Sequence, residues 1–197
     1  MTYASIAIRL RRRGFALEWI TLSWNVVGVV VLVYLAYRAA SVALMGFGLD
    51  SLIEIGASIV VIWELSGSGE ARQRRALRMI GVAFLALAVY LTAQSILALA
   101  VVHHASGSPG GIIWTACTAL VMFALAWGKR RTGIALGNPV LVTEGRVTLI
   151  DGILASAVLL GLVLNSLVGW WWADPVAALV IVYYALREAV TILRRGQ

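Results

Sequence analysis

The sequence predicts an all-α integral membrane protein: a single transmembrane domain over residues 1–197, built as a six-transmembrane-helix bundle with both termini cytoplasmic (N-in/C-in). Three observations carry this reading. Hydrophobic residues make up 61% of the chain and charged residues 13%, with a mean hydropathy of +0.93. A soluble domain carries about a quarter charged residues and roughly half apolar ones. Six apolar runs each approach the ~20 residues that a helix needs to cross a bilayer. Finally, with the N-terminus inside, all of the 16 lysines and arginines except Arg38 fall on the cytoplasmic side. That bias sets orientation in multi-span proteins.

The spans read in order as 15–37, 41–65, 77–102, 112–128, 145–168 and 172–192. The basic run Arg11–Arg13 precedes the first. The apolar run from Phe15 to Tyr37 is too long for the apolar core of a secretory signal, and no small-x-small site ends it, so it reads as a membrane anchor. The turn after it holds Arg38. The second and third spans are joined by a connection with Arg72, Arg74, Arg75 and Arg78, and the third and fourth by HHASGSPGG. A polar stretch with Lys129, Arg130, Arg131 and Arg146 is expected to link the fourth and fifth spans inside the cell. Trp170, Trp171 and Trp172 follow the fifth, where amphipathic rings anchor at the headgroup level. Asp174 before Pro175 is a helix start, an acidic cap with proline at the first helical position. The short connections leave no room for a soluble domain, and the localisation expected is the cell (inner) membrane, multi-pass. Cys117, the single cysteine, excludes an internal disulfide and is expected as a small core residue.

The carboxylates inside these spans need a reason. Each ionisable side chain at the bilayer centre costs about 2.5–3.5 kcal/mol on insertion scales. Asp50 and Glu54 sit within GFGLDSLIEIGASIVVIW (46–63), and Asp151 within TLIDGILASAVLLGLVL (148–164). Residues four apart on a helix differ by about 40° in azimuth and one turn in height, so Asp50 and Glu54 project together. Ser58 continues their face, and Gly48, Gly56 and Ala57 let a neighbouring helix come close. Two helices that each present acids at mid-depth build an oxygen-rich site suited to a divalent cation. Without one, carboxylates held together share a proton, and binding a cation would displace it. Metal/proton exchange follows naturally from such a pair. The competing account, an acid bonded to Ser, Thr or Trp across a helix interface, suits one buried acid better than three.

These residues resemble a known family. The stretch GLDSLIEIGAS (Gly48–Ser58) is similar to the second transmembrane helix of the cation diffusion facilitator transporters, where an acid, three residues and a second acid supply half of a central metal site. EGRVTLIDG (Glu144–Gly152) resembles their fifth helix, and Trp172, Ala173, Asp174 and Pro175 the start of their sixth. The resemblance covers roughly residues 15–195. It implies that Asp50, Glu54 and Asp151 are metal ligands, that divalent metal leaves the cytoplasm in exchange for protons, and that the protein is a homodimer. Where the family commonly has His or Asp one turn before the fifth-helix acid, this chain has Val147. An all-oxygen site is less selective than the nitrogen and sulfur sites of zinc. Zn2+ is the first expectation, with Mn2+, Fe2+, Co2+ and Cd2+ also served. Asn25, with Thr21 on its face, is the candidate fourth ligand, its alternative being an interhelical hydrogen bond. The family's C-terminal cytoplasmic domain has no counterpart before Gln197, so dimerisation is expected from the membrane domain itself.

Other polar residues read more simply. His103 and His104 are adjacent, so they share no helical face. They suit a solvated loop better than a release site. Glu64 and Glu70 are expected as solvated helix ends at the cytoplasmic mouth, Glu144 as the partner of Arg146 in an interfacial pair, and Gln94 as a packing contact. LDSL (49–52) and IDGI (150–153) are faintly alike, a weak sign of inverted halves. No nucleotide-binding or hydrolytic motif occurs, so the chain is not read as an enzyme and needs no cofactor; its metal is a transported substrate. The dispersed basic residues form no nucleic-acid patch. Two alternatives stand beside secondary metal transport: a transport-inactive metal-binding or regulatory membrane protein on the same fold, and a proton-coupled organic-cation exporter.

Overall fold

The computed structural model describes residues 3–39, 41–67, 69–100, 108–170, 172, 182–183, 186–187 and 189–194. Among them the only regular secondary structure is helix. Five helices run α1 (Tyr3–Ala39), α2 (Val42–Leu65), α3 (Glu70–Ala100), α4 (Pro109–Leu136) and α5 (Pro139–Val168). Each contains a stretch long and apolar enough to cross a membrane. From Val182 onward the described residues of the expected sixth span are helical as well, while Trp172 lies in a turn, and Ile192 and Leu193 lie against Gly81 of α3. The rest of that span, with Asp174 and Pro175, lies outside the described residues, as do His103, His104 and Trp171.

The helices overrun the expected spans at their polar ends. With 37 residues, α1 is about 55 Å long at 1.5 Å per residue, well beyond the ~30 Å hydrocarbon layer. It takes the basic run 9–13 into helix, and α3 begins at Glu70 rather than 77. The largest difference lies between α4 and α5. The long cytoplasmic connection expected after residue 128 is helix on both sides, and only Gly137 and Asn138 separate Leu136 from Pro139. Polarity ends a membrane span, but lysine and arginine are good helix formers. The chain turns only where the backbone breaks, at Gly137 with φ 62° and ψ 25°. The following Asn138 caps α5, with proline at its start.

Asn138 also fastens this turn to α2. Its Oδ1 accepts from the amides of Val140 and Leu141 at 2.9 and 3.0 Å. Its Nδ2 donates to both carboxylate oxygens of Glu64 at 3.0 and 3.2 Å. Glu64, expected as a solvated helix end, is thus buried and structural. The last carbonyls of α2 meet two cations. Arg11 of α1 donates to Leu65 through Nε at 2.8 Å and also through Nη2. Arg72 of α3 donates to Trp63 through Nε at 3.0 Å and lies 4.1 Å above the Trp63 ring. Positive charge at a C-terminus complements both the orphan carbonyls and the helix dipole.

Small residues set the helix separations. Leu32 packs against Gly48, Ser51 against Gly28 and Leu65 against Gly14, so α1 and α2 form an antiparallel hairpin. The α4–α5 hairpin is tighter. A Cβ on Gly145 would come within 2.9 Å of the Arg130 backbone nitrogen and 3.1 Å of the Ala126 carbonyl oxygen. Such contacts are how helices associate where lipid removes the hydrophobic drive. The outer surface is apolar: Val30, Leu120, Val89 and Leu160 are exposed, as a face against lipid requires. Cys117, expected in the core, lies on this outer surface.

Replacing Gly145 with alanine is expected to destabilise the bundle by about 1–3 kcal/mol, the usual cost of overpacking, because backbone rather than a movable side chain occupies the space. Gly56, which has nothing within 4 Å of an added Cβ, is the control. Thermal unfolding in detergent should show a lower midpoint for Gly145→Ala and none for Gly56→Ala.

Candidate functional site

The interior of the bundle is polar at two adjoining levels. The first joins α2 to α5. Asp50 and Asp151 are 3% and 4% exposed, and their carboxyl groups stand side by side, near enough for one proton to join them. No protein hydrogen-bond donor reaches Asp50 Oδ2 or either oxygen of Asp151. Tyr90 of α3, half-buried, is within electrostatic reach of Asp50. The register between the two helices sets this pairing. Glu64 meets Asn138 and Glu54 meets Thr148, so α2 and α5 run antiparallel and the residues next in line are Asp50 and Asp151.

Glu54 is turned to the second level. It is buried, and its Oε1 accepts a hydrogen bond of 2.8 Å from the Thr148 hydroxyl. Among the described residues no three Asp, Glu, His or Cys side chains converge closely enough to hold a metal ion. The three acids singled out from the sequence are therefore a facing pair and a neighbour one turn along. Asn25 is 1% exposed, and its Nδ2 bonds the carbonyl of Thr21 in its own helix at 3.1 Å. The α1–α2 register puts it at about the level of Glu54. Val147 is buried in the core on α5.

The second level is built around Lys129, which is fully buried. Its Nζ lies 3.1 Å from Glu144 Oε1 and 3.1 Å from Glu18 Oε2, and it donates to Thr148 Oγ1 at 2.9 Å. Glu18 comes from α1, Lys129 from α4, Glu144 and Thr148 from α5, and Glu54 from α2. One ammonium thus ties four helices together. Two expectations change here. Lys129 is not a cytoplasmic loop charge, and Glu144, expected at the interface with Arg146, is fully buried and bonds Lys129.

The sequence analysis does not single out Glu18 and reads Lys129 only as a loop charge, although two signals are present. On α1, residues Gly14, Glu18, Thr21, Asn25 and Gly28 recur every three or four positions, and all are buried. On α5, Glu144, Thr148 and Asp151 are spaced by four and three and share one face. A stripe of small and polar residues in an otherwise apolar helix marks the side that meets other protein.

Lys129 balances Glu18 and Glu144 where no water can. Lys129→Met should destabilise the protein by about 3–5 kcal/mol, the cost of stranding a buried charge. Adding Glu144→Gln to it should recover part of that loss. The thermal midpoint in detergent reads both, and a Lys129→Met variant as stable as the parent would remove the network from the account of the fold.

The comparisons with known proteins agree with this architecture. Over 198 aligned residues the chain is 22% identical to Transmembrane protein 163 of Xenopus laevis, an alignment that covers 94% of this chain and 69% of the relative. Residues 78–196 match the cation efflux transmembrane domain. That match runs from within α3 through α4 and α5 and contains Lys129, Glu144, Thr148 and Asp151, while Glu18, Asn25, Asp50 and Glu54 precede it. With more than half of its length matched, the chain belongs to the cation efflux family.

Proposed function

We propose that this protein is a secondary transporter that exports divalent metal cations from the cytoplasm by exchange with protons, and that it is not an enzyme. Membership of the cation efflux family supports a metal cation as the substrate. The observation that carries the rest is the Asp50–Asp151 pair: two buried carboxyl groups side by side, three of whose oxygens no protein donor reaches. Buried polar atoms are otherwise almost always satisfied. Without a cation, the pair is stable only if a proton lies between the two groups. A divalent cation provides the same neutralisation and expels that proton. Asp50 and Asp151 are then the principal ligands, Glu54 an additional one, and Asn25 a neutral oxygen donor at the level of Glu54. Zn2+ is the first candidate. A site made of oxygen donors, with Val147 in place of a nitrogen ligand, also takes Mn2+, Fe2+, Co2+ and Cd2+.

The same reading includes six spans, cytoplasmic N- and C-termini in the cell membrane, and a homodimer. Its support is the distribution of basic residues and the parity of the hairpins. Moving Lys129 into the interior leaves the other cytoplasmic arginines in place. A transport-inactive metal-binding protein is the second reading, favoured by buried Val147 and by the separation of Glu54 from the aspartate pair.

In proteoliposomes, wild type should take up Zn2+ or Mn2+ faster when the lumen is made acidic, because protons leaving the lumen drive metal in. Asp50→Asn and Asp151→Asn should each reduce the rate to that of protein-free vesicles. Variants that transport as well as wild type would remove these residues from the site. Metal binding without flux in wild type would select the second reading. A metal panel in the same assay ranks the substrates.

A further inference from the structure

The hydrogen bonds around Thr148 have a fixed direction. A lysine ammonium has three N–H donors and no acceptor. Those of Lys129 reach Glu144 Oε1 and Thr148 Oγ1 at 3.1 and 2.9 Å, and its Nζ lies 3.1 Å from Glu18 Oε2 as an ion pair. A threonine hydroxyl has one proton. With Lys129 donating into its lone pair, Thr148 sends that proton to Glu54 Oε1, 2.8 Å away. Glu54 is therefore held by a hydroxyl that an ammonium polarises, and hydrogen bonds of this charge-assisted kind are the strong ones. All the atoms involved are buried, so water does not substitute for a bond that breaks.

Glu54 shares a helical face with Asp50, one turn away, and Asp50 stands beside Asp151. The bond from Thr148 holds Glu54 Oε1 on the Lys129 side, so bringing that oxygen to the pair breaks it. We propose that Thr148, oriented by Lys129, is a positioning residue that holds Glu54 off the aspartate pair, so that Glu54 joins a divalent cation there only by giving up this hydrogen bond. The tether weakens binding at the pair and favours release. This inference rests on the reading of Asp50 and Asp151 as the cation-binding acids. In it, Lys129 acts at a distance. Its charge reaches the cation site through the hydroxyl, and it occupies no ligand position.

The test is titration of the purified protein in detergent with Mn2+ and with Zn2+, by calorimetry, on wild type, Thr148→Val, Thr148→Ser, Glu54→Gln, the Glu54→Gln/Thr148→Val double variant and Asp50→Asn. Thr148→Val removes the hydroxyl at nearly constant shape and should bind the cation about tenfold more tightly or better, the equivalent of one charge-assisted hydrogen bond no longer broken on binding. Thr148→Ser keeps the hydroxyl and should match wild type. In a Glu54→Gln background, Thr148→Val should change nothing. Should Thr148→Val fail to fold, Thr148→Ala carries the same expectation. A general packing defect would loosen binding, so tightening is a signature of the tether. Unchanged or weaker binding in Thr148→Val, or tightening that persists in Glu54→Gln, overturns the inference while leaving the aspartate site intact. Asp50→Asn binding as tightly as wild type overturns the functional reading beneath it as well.

Discussion

A single ammonium group, that of Lys129, sits at no measurable exposure between the carboxylates of Glu18 and Glu144, and much of the interior is arranged around it. Burying an ion is affordable only when geometry and hydrogen bonding are both good, and removing one partner strands the others. That asymmetry makes the cluster a constraint on the fold. Helices α1, α4 and α5 must bring their charged residues to one level, and α2 is drawn to the same level through Thr148 and Glu54. Once those heights agree, the antiparallel register between α2 and α5 leaves Asp50 opposite Asp151 one turn further on. The acid pair is placed by a network that does not include it.

The membrane environment explains why the rest of the structure takes the form it does. Backbone polar groups in hydrocarbon need internal partners, and side chains supply them at several of the described helix ends. Ser41 and Ser108 cap α2 and α4, Asn138 caps α5 while holding Glu64, and Arg11 and Arg72 take up carbonyls at the end of α2. Between helices, glycine and other small residues set the spacing. At Gly145 the approach is so close that the backbone of α4 fills the place of a side chain. The polar interior and the tight α4–α5 hairpin are two aspects of one arrangement, since Lys129 and Glu144 can meet only if their helices come this near.

Much of this was legible in the chain itself. Hydrophobic content identified the solvent, and apolar runs located the five helices described. The spacing of Asp50, Glu54 and Asp151 singled out acids that are indeed buried. Polar helix ends were harder to read. Lys129, Arg130 and Arg131 make residues 129–136 read as a loop, yet the chain stays helical as far as Gly137. Glu64 reads as a solvated helix end and Glu144 as an interfacial residue because an isolated carboxylate is costly indoors, a rule that fails once Asn138 and Lys129 supply partners. Glu18 went unremarked because its partner is more than a hundred residues away.

The sequence by itself determined what each helix carries: its apolar exterior, and a face bearing carboxylates or small residues. These properties follow from local periodicity and from the free energy of transfer into lipid, which depend on one segment at a time. Only the tertiary structure decided which carboxylates meet each other and which meet Lys129. Partnership depends on the relative height and rotation of separate helices, set jointly by glycine contacts, the two-residue turn at Gly137–Asn138 and the need to neutralise buried charge. Asp50 and Asp151 became a facing pair, and Glu54 was drawn toward Thr148, for that reason.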